Sequence, residues 1–177
     1  DTSLFPQYTV EKNILMGAER KKGKKDKKLN LKEIVDLLDI FHILNKYPHQ
    51  ISAGEAQRAS LARSLITQPD LLLLDEPFGA LDEMTRDALN EELLRLREQS
   101  LWTALFVTHS VSEAVFLSSK IVVLAANPGR IADVVEVALP YPRTPATRQM
   151  PEFGELVRIT TSALHSVQKK ESAFAAI

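Results

Sequence analysis

Leu71-Leu72-Leu73-Leu74-Asp75-Glu76-Pro77 is the stretch that decides the fold. Four consecutive aliphatic residues sit between Pro69-Asp70 and two acids followed by proline. So short an apolar run, bounded by turn residues, reads as a β-strand buried on both faces. A helical pattern follows from Glu83 to Glu98, with Asp82 placed to cap it. Next come an apolar strand, Trp102–Thr108, and a helix from Val111 to about Leu117. Ile121–Leu124 and Ile131–Val137 read as strands around the turn Asn127-Pro128-Gly129. Strand, helix, strand, helix, strand is the rhythm of an α/β fold with a parallel sheet.

Upstream of this stretch the pattern is helical. Thr9–Gly17 reads as a short helix after the loop Leu4-Phe5-Pro6. A longer helix is expected from Leu31 to about Asn45, with Asn30 as N-cap and Glu33 completing a capping box. Leu31, Ile34, Val35, Leu38 and Phe41 would line its apolar face. Pro48 breaks the chain, and a further helix runs from near Gly54 to about Thr67. Downstream, the tail opens with Pro140, Pro142 and Pro145 and ends in a helix over roughly Glu152–Gln168.

A chain of 177 residues has room for one domain with a sizeable core. Its 45% apolar and 25% charged residues are those of a globular protein. The sequence contains no cysteine, which excludes disulfides and cysteine-ligated metals. No apolar run approaches the length of a membrane span and no signal-peptide pattern is present, so membrane contact is expected to be peripheral. The chain opens on Asp1, and it is expected to begin inside a longer product or after processing. The net charge of −1 hides an asymmetry. Arg20–Lys28, RKKGKKDKK, carries +6 and the remainder −7. Such a run reads as a solvated surface loop; the alternative is attraction to anionic lipid or to an acidic partner.

Three places carry candidate chemistry. Asp75 and Glu76 stand at the carboxyl end of a strand, where open α/β sheets bind ligands. In nucleotide hydrolases of this layout the first acid holds magnesium, often through water, and the second polarises the attacking water. Read alone, the segment is equally a strand that ends in two exposed acids before a turn. His109 follows the second strand and could hydrogen-bond a terminal phosphate. Ile51-Ser52-Ala53-Gly54-Glu55 opens a helix with the S-x-x-E capping box. The same geometry, a hydroxyl beside free N–H groups at a helix start, makes an anion site. Ser110 and Glu113 repeat S-x-x-E and read as a cap only.

Taken together and in order, these segments resemble the ABC ATPases. The signature motif, commonly LSGGQ, is Ile51–Glu55, continued by Gln57-Arg58. Leu71–Glu76 is the Walker B motif, Gly79-Ala80-Leu81-Asp82 the D-loop and His109 the switch histidine. Tyr47-Pro48-His49-Gln50 and Leu81-Asp82 followed by Thr85-Arg86 look like bacterial importer ATPases. Phe106–Arg130 and the tail Pro140–Leu164 look most like the nitrate, sulfonate and taurine group. The resemblance implies a partial RecA-like P-loop NTPase core with a parallel sheet, a three-layer α/β/α arrangement and an added helical subdomain. It divides the chain into a helical subdomain over 9–68, the second half of the core over 69–139, and a C-terminal tail and helix over 140–177.

The resemblance also implies roles. Glu76 and His109 would be catalytic, and Asp75 would hold Mg2+ through water. Ser52, Ala53, Gly54 and Glu55 would meet ATP bound to a second, head-to-tail ABC ATPase subunit. Membrane permease subunits, and a solute-binding protein in the assembled system, would be the further partners, at the cytoplasmic face of the membrane and without nucleic acid. The transported substrate would be nitrate, a sulfonate, taurine or a similar small solute. Rival readings are a soluble ABC ATPase of DNA repair or translation, and a non-catalytic remnant. The sequence departs from the family pattern in four respects. Ala53 stands where glycine is usual, Glu55 where glutamine is usual, and Gln7 where this subgroup often has tryptophan. No G-x-x-x-x-G-K-[ST] occurs in the 177 residues. The expected reading is an N-terminally truncated cassette that begins one residue past the Q-loop glutamine and is inactive alone. Glu55 near a triphosphate would be unfavourable unless its carboxylate turns back to cap its own helix.

Overall fold

The computed structural model describes residues 4–18, 30–100, 102–126 and 128–174. The basic stretch of residues 20–28 and its expected surface loop lie outside the described residues. The chain forms two compact units, residues 1–107 and 108–177.

In the first unit, α1 (Val10–Ala18) packs along α3 (Ala53–Leu65). Their contact is close because residue 17 is glycine. A Cβ there would stand 2.5 Å from the Arg63 carbonyl oxygen and 2.9 Å from Ile66 Cγ2. Asn13 is fully buried and ties the entering loop to α1. It accepts from Phe5 N–H at 2.7 Å and donates to the Phe5, Tyr8 and Thr9 carbonyls at 3.0–3.2 Å.

The helix expected to run to Asn45 stops earlier. α2 covers Leu31–Leu37, with the capping box of Asn30 and Glu33 in place. Asp39 then takes a left-handed conformation, φ 49°. Asp39 N–H donates to Asp36 and Ile40 N–H to Val35, the paired bonds of a Schellman cap. Val35 and Ile40 are both buried, which supplies the apolar contact of that motif. Phe41, expected on the apolar face, is therefore 75% exposed, at the start of a short 3-10 turn over Phe41–Ile43.

β1 (Leu71–Asp75) pairs in parallel with β2 (Thr103–Val107), from Leu71 opposite Thr103 to Asp75 opposite Val107. α4 (Glu83–Ser100) is the crossover that a parallel pair requires. Asp82 caps it, as expected, by accepting from Thr85 N–H at 3.0 Å. The expectation that β1 is buried on both faces is overturned. Leu72 and Leu74 enter the core with Ile14, Leu65 and Phe78, while Leu71 and Leu73 are 55% and 65% exposed. The reason is layering: one face of the β1–β2 pair rests on the helices, and no layer covers the other among the described residues of the unit. An unbroken leucine run cannot report this, because every residue satisfies either face.

The second unit joins α5 (Val111–Leu117), the hairpin β3 (Lys120–Ala125) and β4 (Arg130–Glu136), and α6 (Pro151–Phe174). The third strand of the expected rhythm, β3, pairs antiparallel with β4, because a connection of a few residues can close only a hairpin. α6 packs on α5 and on the hairpin. Arg143, buried, closes the carboxyl end of α5: its Nη1 donates to Val115, Phe116 and Ser118 carbonyls at 2.8–3.1 Å. No described helix is long and apolar enough to cross a membrane.

Candidate functional site

The signature segment begins α3. Ser52 is its N-cap and accepts from Glu55 N–H at 3.2 Å, while Ser52 N–H donates to Glu55 Oε2 at 2.7 Å. The other carboxylate oxygen, Oε1, is 2.9 Å from His42 Nε2, which donates to it. Glu55 is thus folded back on its own helix, the arrangement under which a carboxylate here is tolerable. The Ser52 N–H bond first, and the His42 bond next, hold its carboxyl down at about 2, against an ordinary 4.5. Ala53 and Gly54 occupy the first turn, where backbone N–H groups have no partner inside the helix. Those groups and the positive end of the helix dipole are what an anion would meet.

The strand acids lie beside this helix within the same unit. Asp75 ends β1 on the exposed face, in line with Leu71 and Leu73. Glu76 is left-handed, φ 45°, in a residue that has a Cβ and precedes proline. Such a conformation costs on the order of 1–3 kcal/mol and needs support. Three hydrogen bonds supply it. Glu76 N–H donates to Val107 of β2 at 2.9 Å, and the Glu76 carbonyl accepts from Gly79 N–H at 3.1 Å and from Gln57 Nε2 at 2.6 Å. The Glu76 carboxylate leans over Gly79, where a Cβ would be 3.5 Å from Oε2.

The D-loop segment closes the group. Leu81 N–H donates to Phe78, and Arg86 Nη2 holds the Leu81 carbonyl at 2.9 Å. Leu81 also touches the signature: a Cβ on Gly54 would be 3.2 Å from Leu81 Cδ2. The exposed Asp82 carboxyl is shifted below its ordinary value by the Thr85 hydroxyl first and then by Thr85 N–H. Ser52, Gly54, Asp75, Glu76 and Gly79–Asp82 are therefore assembled in one unit.

His109 belongs to the other unit, two residues beyond the Val107 that pairs with Asp75. Its neighbours are tied together. Ser110 N–H donates to Thr108 Oγ1 at 3.0 Å, the Thr108 hydroxyl donates to the buried Glu113 carboxylate, and Glu113 N–H donates to Ser110 Oγ at 3.3 Å. Two contributors escaped sequence reasoning. Gln57 was visible only as the continuation of the signature; its partner is nineteen residues away. Glu113 carried a signal, its S-x-x-E spacing from Ser110, that names a cap and not the Thr108 bond.

A parallel strand ending in two acids, bonded through Gln57 to a capped helix, is a mixed α/β arrangement, and the fold matches a cassette of the RecA-like P-loop class. Residues 1–79 match the family model described as ABC transporter. It is similar to the aliphatic sulfonates import ATP-binding protein SsuB of Bacillus cereus (strain ATCC 10987 / NRS 248), 45% identical over 155 residues, covering 87% of this chain and 61% of that protein. It is also 45% identical over 145 residues to the bicarbonate transport ATP-binding protein CmpC of Synechococcus elongatus, covering 80% of this chain and 22% of that protein. Among solved structures, the dimeric structure of MJ0796, a bacterial ABC transporter cassette, superposes with a TM-score of 0.67. The two are 26% identical, and the match covers 77% of this chain and 60% of that one. The chain spans about three fifths of the length of the sulfonate relative.

Proposed function

We propose that these residues are the hydrolytic and signature portion of an ATP-binding subunit that drives import of a small anionic solute such as a sulfonate. One observation carries the reading: the signature helix and the strand acids are parts of one packed unit, bonded to each other through Gln57 and Glu76. The 45% identity to a sulfonate import protein supports the substrate class.

In this reading Glu76 orients the attacking water and takes its proton, and His109 donates to an oxygen of the terminal phosphate. Asp75 would hold magnesium through water, and the ion would supply charge neutralisation on the phosphates. No group of three or more potential ligands occurs among the described residues. Magnesium keeps several waters and takes one or two carboxylates plus phosphate oxygens. Ser52 and the Ala53 and Gly54 N–H groups receive the phosphates of ATP carried by a second, head-to-tail subunit. The 9–68 segment acts as the helical subdomain, pressing through Thr9–Asn45 on cytoplasmic loops of a membrane permease. Segments 69–139 and 140–177 act as core and tail. A solute-binding protein would deliver the solute outside the membrane.

Steady-state ATP hydrolysis and ATP binding by the full-length cassette test this reading. Glu76→Gln is expected to lower turnover on the order of a hundredfold or more while leaving ATP binding intact. Turnover near that of the unaltered protein would assign the water to another residue and end the proposal.

A further inference from the structure

The two bonds to the Glu76 carbonyl come from different places. One, from Gly79, closes the turn that follows the strand; the other reaches across from α3. Gln57 sits one turn beyond the Ser52 cap, so α3 carries a phosphate-facing start and a donor to the hydrolytic residue on one rigid segment. The carbonyl it grips belongs to the Glu76–Pro77 peptide. Pro77 has no N–H and fixes its own φ, so the orientation of that peptide is set from the Glu76 side. A left-handed residue with a Cβ relaxes when its supports are removed. The Gly79 bond is a local turn and the Val107 bond a strand bond, and both share their elements with many others. The Gln57 bond is the side-chain one, and it ties the Glu76 carbonyl to the signature helix.

We propose that Gln57 is a positioning residue: its side-chain amide holds the Glu76 backbone left-handed and so aims the Glu76 carboxylate for hydrolysis. The proposal rests on the role assigned to Glu76 above. Losing the amide misdirects the carboxylate without touching the groups that bind ATP. The effect therefore falls on kcat and spares KM. A misplacement of about 1 Å at a reacting group reduces rate on the order of ten- to a hundredfold.

The experiment measures kcat, KM for ATP and Tm in the full-length cassette for Gln57→Glu, Gln57→Leu and Gln57→Lys, beside Glu76→Gln. Gln57→Glu keeps the size and removes the donor; Gln57→Leu removes it without adding charge, should the acid impair folding. Gln57→Lys restores a donor of comparable reach. The expected result is a ten- to a hundredfold lower kcat for Glu and Leu, with KM and Tm held, and recovery of most of the rate in Lys. Unchanged kcat in Gln57→Leu alongside an inactive Glu76→Gln overturns this inference alone. An active Glu76→Gln brings down the catalytic reading beneath it. Equal losses of kcat and Tm in all three Gln57 variants would make the residue structural and overturn the positioning role.

Discussion

At the scale of single residues, Glu55 shows how a departure from a family pattern is accommodated. Its carboxylate serves Ser52 N–H and His42, and its folded-state carboxyl is held at about 2. As pH falls, the unfolded chain takes up this proton first, near the ordinary 4.5. The stabilisation is thus complete above about pH 4.5 and lost as pH falls towards about 2. Thermal unfolding of Glu55→Gln beside the unaltered chain should show a higher Tm for the latter at pH 7, converging as pH falls through that window. A gap independent of pH would mean that the charge contributes nothing. The capping of α3 was legible because Ser52 and Glu55 are three residues apart and the chemistry is local. The Gln57–Glu76 bond was not, because side-chain reach across nineteen residues depends on how two elements pack. His109 was legible as a residue following a strand, and no pattern in the chain announces that Thr108 and Glu113 flank it with a part-buried bond.

At the scale of elements, the sequence was most informative where period and punctuation agree. α4, β2 and α5 fall within a few residues of expectation, with Asp82 and Ser110 as caps. It was least informative where a non-glycine residue turns the chain. α2 ends at a left-handed aspartate, Asp39, and nothing around it reads as a stop signal. The α1–α3 crossing gives the sharpest test at this scale. Gly17→Ala should gain helix propensity, worth about 1 kcal/mol. It should also drive a methyl against the Arg63 carbonyl, a backbone atom that cannot swing aside, as well as Ile66. Overpacking of that kind costs about 1–3 kcal/mol, and the clash outweighs the propensity. Urea unfolding should show a lower midpoint at an unchanged slope. A midpoint equal to or above the original would show that the two helices separate freely.

At the scale of the whole molecule, one face of the β1–β2 pair offers Leu71, Leu73, Leu105 and Val107 to solvent in a continuous row. Parallel strands bare on one face are uncommon, and a contiguous apolar patch promotes association. Sedimentation of the 177-residue chain should therefore show concentration-dependent self-association, and Leu73→Lys with Leu105→Glu should reduce it. A monomer at high micromolar concentration would contradict this. The same chain has acids and a helix start but no G-x-x-x-x-G-K-[ST] loop. In the proposed reading Asp75 would hold magnesium only weakly on its own, and the acids would repel a triphosphate without it. Calorimetry with magnesium and a non-hydrolysable ATP analogue should register no micromolar binding, and a micromolar signal would reveal a phosphate site elsewhere in these residues. Gly17 has a further meaning once α3 is seen to carry both Ser52 and Gln57. Where two helices touch through side chains, a shove on one is partly absorbed as rotamers give way. Here Gly17 brings a bare α-carbon against the Arg63 carbonyl oxygen, a backbone atom that cannot swing aside. A load arriving on α1 would meet the carboxyl-terminal end of α3 directly, and that one helix carries Ser52 and Gln57 near its other end.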